Sequence, residues 1–284
     1  MSSFSFASVR DDDRPLVMGI LNVTPDSFSD GGQFVDLDLA CAQAERMVAE
    51  GADIIDVGGE STRPGSAAIT DRMQIERVVP VIERLAARLQ GRACISVDTR
   101  SAAVAAAALD AGARIVNDVS AGADPAMFSA VLMHGAGLVL MHMRGTPATM
   151  QNNPQYVDVV AEVRAYLLAR AARAVAVGID RAGLALDPGI GFGKSREHNL
   201  RLLAALGQLV DTGHAVLLGA SRKRFMGAIC AETDPLELVG ATCATTALGV
   251  AAGVRIVRVH DVRPNRQAAD VAWACRRIDA AERH

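Results

Sequence analysis

Three side chains that accept hydrogen bonds, Asp98, Asn117 and Asp187, each close a short apolar run of the sequence, and four basic ones, Arg63, Lys223, Arg258 and His260, stand in or just after other such runs. A buried carboxylate is tolerated only beside donors, so the acceptor set suits a ligand with adjacent N–H groups, such as a nitrogen heterocycle. The cations suit a phosphate or diphosphate. Taken singly, each residue has a plainer reading: Asp98 as the cap of a helix starting near Ser101, Asp187 as part of the Pro188 to Gly191 turn, Arg258 as the ion partner of Asp261 or another surface acid, His260 as a satisfied loop histidine. Lys223 has a rival reading as the Schiff-base lysine of an aldolase, although nothing local in the sequence shows the desolvation that this chemistry needs.

These residues need a scaffold that brings them together. Apolar runs recur at Leu16 to Leu21, Ile54 to Val57, Cys94 to Val97, Ile115 to Val116, Leu138 to Met141, Leu184 to Leu186, Val216 to Leu218 and Ile256 to Val259, none with clean polar alternation. That pattern predicts parallel strands covered on both faces. Helical patterns lie between them. One places Ile75, Val78, Val79, Ile82, Leu85, Ala86 and Leu89 on a single face; another aligns Val159, Val163, Leu167, Ala171 and Ala174. A third uses Leu203, Leu206 and Val210, and the last follows Pro264 and aligns Ala268, Val271, Cys275 and Ile278. Eight buried strands alternating with helices predict an α/β fold, a single (β/α)8 TIM barrel, with a doubly wound open sheet as the alternative. Residues 1–14 read as an N-terminal lead and 15–284 as one domain.

In such a barrel the loops after the strands build one mouth. Asn22 follows the first run, Glu60, Thr62 and Arg63 the second, His142 the fifth, and Ser221 with Lys223 the seventh. The loops Asn22 to Gly32 (NVTPDSFSDGG) and Gly58 to Gly65 (GGESTRPG) are long and Gly-rich, as expected of lids that exclude water, and Phe28 in the first has two readings, a cover for a planar ligand or a ring packed on its own scaffold.

Composition narrows the classes further. The 284 residues are 50% hydrophobic and carry a formal charge of −3, which leaves no basic footprint for nucleic acid. No apolar stretch approaches the roughly 18 residues that span a bilayer, and the N-terminus lacks the apolar core of a secretion signal. The cysteines (Cys41, Cys94, Cys230, Cys243 and Cys275) are odd in number and form no CxxC pair, so reduced thiols in a cytoplasm are expected.

The motifs MGILNVTPDSFSDGG (18–32), DVGGESTRPG (56–65), SVDT (96–99), ND (117–118), DPGIGFGK (187–194), SRK (221–223) and RVHDV (258–262) resemble, in order and over essentially the whole chain, the dihydropteroate synthases. These are pterin-binding barrel enzymes of folate biosynthesis that sulfonamides inhibit. The resemblance implies condensation of (7,8-dihydropterin-6-yl)methyl diphosphate with 4-aminobenzoate, a Mg²⁺ requirement and a homodimer. Carried over by position, Asp98, Asn117, Asp187 and Lys223 would hold the pterin, while Thr62, Arg63, Arg258 and His260 would surround the diphosphate. Asn22 would contact Mg²⁺, and Asp98, Lys223 and Arg63 would act in catalysis. The region of 4-aminobenzoate is assigned to Phe28, Arg222 and Arg224, with one departure: Arg224 stands where the family commonly has serine. Competing functions are a pterin-binding paralogue without synthase activity, a barrel that moves a methyl group from methyltetrahydrofolate to a corrinoid, and the aldolase.

Overall fold

The computed structural model describes residues 4–10, 12–23, 32–60, 69–146 and 149–281, with backbone alone for 32–36 and 279–281. Strands β1 (Leu16–Asn22), β2 (Ile54–Gly58), β3 (Cys94–Asp98), β4 (Ile115–Asp118), β5 (Gly137–Met141), β6 (Leu184–Asp187), β7 (Ala215–Leu218) and β8 (Ile256–Val259) run parallel and close into a barrel in chain order. Closure is made by β8 beside β1, with Leu16 opposite Ile256 and Met18 opposite Arg258. This excludes the open sheet.

Around the strands lie α1 (Gly32–Ala49), α2 (Asp71–Leu89), α3 (Ala102–Asp110), α4 (Met127–His134), α5 (Val159–Val177), α6 (Arg196–Ala204), α7 (Leu206–Val210), α8 (Arg224–Cys230), α9 (Val239–Ala251) and α10 (Val262–Ala281). On α2 the buried face includes Val78, Ile82, Leu85 and Leu89, and α5 buries Val159, Val163, Leu167, Ala171 and Ala174, the face its periodicity predicts. Two helical expectations need correction. The pattern at Leu203, Leu206 and Val210 is split between α6 and α7, and the fully buried residues there are Leu202, Leu206 and Leu209. The final helix starts at Val262, before Pro264, which sits in the first turn where a missing N–H costs little. It turns Val271, Cys275 and Ile278 to the exterior and buries Val262, Asn265, Arg266 and Ala269. Hydropathy cannot find that face because a salt-bridged arginine occupies it: Arg266 Nη1 donates to the Pro15 carbonyl at 2.8 Å and lies 3.3 Å from Asp53 Oδ2.

Inside the barrel, alternate residues of each strand point inward. At the N-terminal end these are Leu16, Met18, Ile54, Ile115, Val139, Ala185, Leu217 and Ile256, one apolar cluster that Phe4 and Phe6 complete from below. The N-terminal segment therefore forms the floor of the barrel. Phe4 and Phe6 meet edge to face at 5.1 Å between ring centroids, a favourable aromatic geometry. Gly137 admits them, since a Cβ there would stand 2.6 Å from the Phe4 ring. Two residues further along four of these strands, and four residues beyond Cys94 of β3, which packs against the cluster, the inward positions become Asp56, Asn117, Asp187 and Arg258, and Asp98. The interior thus grades from hydrocarbon to charge along its axis.

Candidate active site

Bonds between strands that are not neighbours prove which side chains face inward. Asn117 on β4 donates from Nδ2 to Asp56 Oδ2 on β2 at 2.9 Å, although β3 lies between them. Arg258 on β8 donates from Nε to the same Asp56 oxygen at 2.6 Å and from Nη2 to Asp98 Oδ2 on β3 at 2.7 Å. Only the barrel interior allows these contacts. Asp56 has no accessible surface, whereas the side chains of Asp98 and Arg258 remain 12% and 20% exposed and so reach the mouth. Arg258 thus pairs with Asp56 and Asp98, and the partner of Asp261 is Arg222, through Nε at 3.0 Å and Nη2 at 2.6 Å.

Strand register supplies the rest of the rim. Asn22, Gly58, Asp98 and Asn117 occupy one row across β1 to β4. A Cβ at Gly58 would lie 3.6 Å from Asn22 Oδ1 and from Asp98 Cβ, so these three residues sit side by side in the row. Asp98 does not cap the following helix; Ser101 does. Asp187 Oδ1 accepts from the Gly189 N–H at 2.7 Å, so the turn reading holds for one of its oxygens. The loop after β6 is locked by Lys194, a buried residue whose ammonium donates to the carbonyls of Gly189 and Phe192 at 2.9 Å and of His142 at 3.2 Å. Burial, and after it the charge of Lys194, drives the His142 imidazole pKa down to about 3, and its Nδ1 lies 3.0 Å from the Lys194 Nζ. In turn Phe192 offers its ring face to Lys223, whose Nζ stands 4.1 Å from the centroid, within cation–π range. Ser221 Oγ lies 3.0 Å from His260 Nδ1 and fixes that ring beside the end of β8.

Electrostatics shows how close these groups are. Burial, opposed by Arg258 and reinforced by Asp56, lifts the Asp98 carboxyl to about 7. Burial also lifts Asp187 to about 6, against the Gly189 N–H, Lys223, Lys194 and Arg258. Lys223 is pushed down to about 8, first by burial and then by Arg258, while Asp187 and Asp98 pull it upward. The desolvation that the sequence did not reveal at Lys223 is therefore present.

Asp98, Asn117, Asp187, Lys223 and Arg258 converge, with Asn22 and His260 at the same end. Thr62, Arg63 and Phe28 lie outside the described residues. Arg222 turns its guanidinium to Asp261, and Arg224 is exposed at the first turn of α8. Sequence reasoning missed Asp56. Its signal was a carboxylate two places before the end of an otherwise apolar strand, a position buried on either face and hence in need of a partner.

Fold and mouth together define a (β/α)8 enzyme that offers carboxylate and amide acceptors to one part of a ligand and half-buried cations to another. Residues 18–260 match the family described as pterin binding enzyme, and the chain belongs to that family. It is 52% identical to the dihydropteroate synthase of Mycobacterium leprae, over 91% of this chain and 92% of that one. Among solved structures it resembles the Yersinia pestis dihydropteroate synthase in complex with a sulfonamide drug (TM-score 0.87, 42% identity, 93% of this chain and 94% of that one). It is also similar to the Xanthomonas albilineans enzyme in complex with 7,8-dihydropteroate (TM-score 0.83, 43% identity, the same coverage).

Proposed function

We infer that the chain performs the dihydropteroate synthase reaction: a dihydropterin methyl diphosphate loses diphosphate, and 4-aminobenzoate attacks the methylene to give 7,8-dihydropteroate, a step of folate biosynthesis. The observation that carries this reading is the meeting of Asp98, Asn117, Asp187, Lys223 and Arg258 at one rim in a member of the pterin-binding family. An aminopyrimidinone presents adjacent N–H donors, which Asp187 and Asn117 can accept, and ring acceptors to which Lys223 can donate. Arg258 and His260 face the end where the diphosphate leaves. As it departs, positive charge grows on the pterin methylene, and the Asp98 carboxylate supplies a negative field there without covalent attack. The arylamine then forms the C–N bond and loses a proton.

Asn22 contributes one neutral amide oxygen, and among the described residues no cluster of His, Cys, Asp or Glu could hold a metal. A single amide oxygen fits Mg²⁺ carried in on diphosphate oxygens, because this ion is commonly held by one or two protein ligands together with substrate phosphates and water. Bound there, the ion would neutralise charge on the leaving group.

Dihydropteroate formation that requires the pterin diphosphate, 4-aminobenzoate and Mg²⁺, and that stops with a chelator, is the expected result. Pterin binding without turnover would instead place the chain with non-synthase paralogues. A homodimer is also proposed, supported by Leu248 of α9 and Val271 and Ile278 of α10, which are 62%, 67% and 62% exposed on two helices packed against each other; sedimentation tests it. The free cysteines support a reducing, cytoplasmic setting, and among the described residues no helix is long and apolar enough to cross a membrane.

A further inference from the structure

Asp56 is a charged side chain with no accessible surface, set one layer below the rim, and its Oδ1 has no partner among the described residues. It cannot touch a ligand at the mouth. Its Oδ2 nonetheless accepts from two residues that can, Asn117 through Nδ2 and Arg258 through Nε. Each of these bonds carries information. An amide can present either its oxygen or its nitrogen to a ligand, but a carboxylate only accepts, so Asp56 forces the Asn117 nitrogen inward and downward. The Asn117 oxygen, which accepts nothing among the described residues, is left for the mouth together with the second Nδ2 hydrogen. Arg258, held at Nε, has Nη2 fixed on Asp98, and the fork geometry of the guanidinium directs its remaining N–H groups away from Asp56.

We propose that Asp56 is a positioning residue that sets the hydrogen-bond polarity of the pterin pocket, by locking the Asn117 amide in its acceptor-outward orientation and anchoring Arg258 between the two carboxylates. This rests on the synthase reading above, and it adds a selectivity rule: the pocket takes heterocycles that present an N–H beside a ring acceptor and rejects those with the reverse order. A buried partner that would be left mismatched discriminates far better than a hydrophobic wall.

The test is steady-state kinetics of full-length wild type, Asp56→Asn, Asn117→Ala and the double variant, with direct binding of 6-hydroxymethylpterin. An amide at position 56 fills the same space, but its uncharged oxygen holds the Asn117 N–H and the Arg258 Nε more weakly than a carboxylate does, so the lock is loosened and the shape is kept. The KM for the pterin substrate and the Kd of 6-hydroxymethylpterin are expected to rise by about tenfold in Asp56→Asn, with the KM for 4-aminobenzoate within twofold of wild type. In the Asn117→Ala background the same change should weaken pterin binding by clearly less, because the two act through one bond. A purely structural role would instead lower the concentration of active enzyme and leave both KM values in place. Unchanged pterin KM, equal rises for both substrates, or fold-changes that multiply in the double variant would overturn the proposal. Should Asp56→Asn fail to fold, Asn117→Asp probes the same bond from above: it keeps an outward oxygen but has no N–H for Asp56, so it should bind pterin no better than Asn117→Ala, and tighter binding would overturn the proposal. Loss of pterin turnover in the wild type itself would refute the synthase reading instead.

Discussion

Replacing Arg258 by Met removes the one cation that bridges Asp56 and Asp98 while keeping most of the hydrocarbon volume. Asp56 has no accessible surface and Asp98 is 12% exposed at the rim above it, so the variant leaves two acceptors in and at the mouth of the interior without their shared donor. Breaking a buried ion pair from one side costs about 3–5 kcal/mol. For a chain of this length each kcal/mol lowers the melting temperature by roughly 2–3 °C, which places the expected loss at about 6–15 °C at pH 8. The pH dependence has a defined sign. Carboxyls whose folded-state pKa lies above the unfolded value carry a penalty that is absent below about pH 4, grows by about 1.4 kcal/mol per pH unit, and levels off above the folded pKa. In the wild type Asp98 already titrates near 7 with Arg258 beside it, and without that cation it must titrate higher. Acidification to pH 5 protonates Asp98 and should recover at least half of the difference from wild type. Differential scanning calorimetry of both proteins at pH 5 and pH 8 measures this directly. A deficit below about 3 °C at pH 8, or one of equal size at both values, would refute the claim that Arg258 neutralises two interior carboxylates.

The same titrations predict a bell-shaped kcat/KM for the pterin substrate: Asp98 (about 7) and Asp187 (about 6) must be ionised, so activity falls below 7, and Lys223 (about 8) must be protonated, so it falls above 8. A profile flat from pH 5 to 9 would contradict this, and Asp98→Asn should abolish the limb near 7. Gly189 has φ +67°, and a Cβ there would stand 1.9 Å from the His142 carbonyl oxygen. Gly189→Ala should therefore cost about 2 kcal/mol or more in urea unfolding. Phe6, at the barrel floor, is fully buried. Phe6→Ala should cost about 3–5 kcal/mol while leaving kcat of the folded fraction within twofold of wild type, as followed by denaturation and assay at low temperature.

The barrel could be read in the chain because parallel strands covered on both faces are continuous apolar runs, and each of the eight observed strands overlaps its predicted run. The rim was equally legible at Asp98, Asn117 and Asp187, where a polar residue ends a strand. What periodicity could not show was the identity of partners. Arg258 had Asp261 close by in sequence as an obvious mate, yet that carboxylate belongs to Arg222 and Arg258 reaches strands 160 and 202 residues distant in sequence. The outer face of α10 misled for a related reason, because Arg266 with its paired acids replaces the apolar stripe a hydropathy pattern seeks. Charge satisfied by distant acceptors is invisible to any local rule.

The stopper made by Phe4 and Phe6 has a consequence for biosynthesis. The Phe4 N–H reaches the carbonyl of Gly135, the Arg14 carbonyl receives Arg255, and Arg14 itself pairs with Asp270. Residues 4–14 must therefore wait for partners up to 256 positions further along the chain before their lodging is complete, and until then two greasy rings stand without a home.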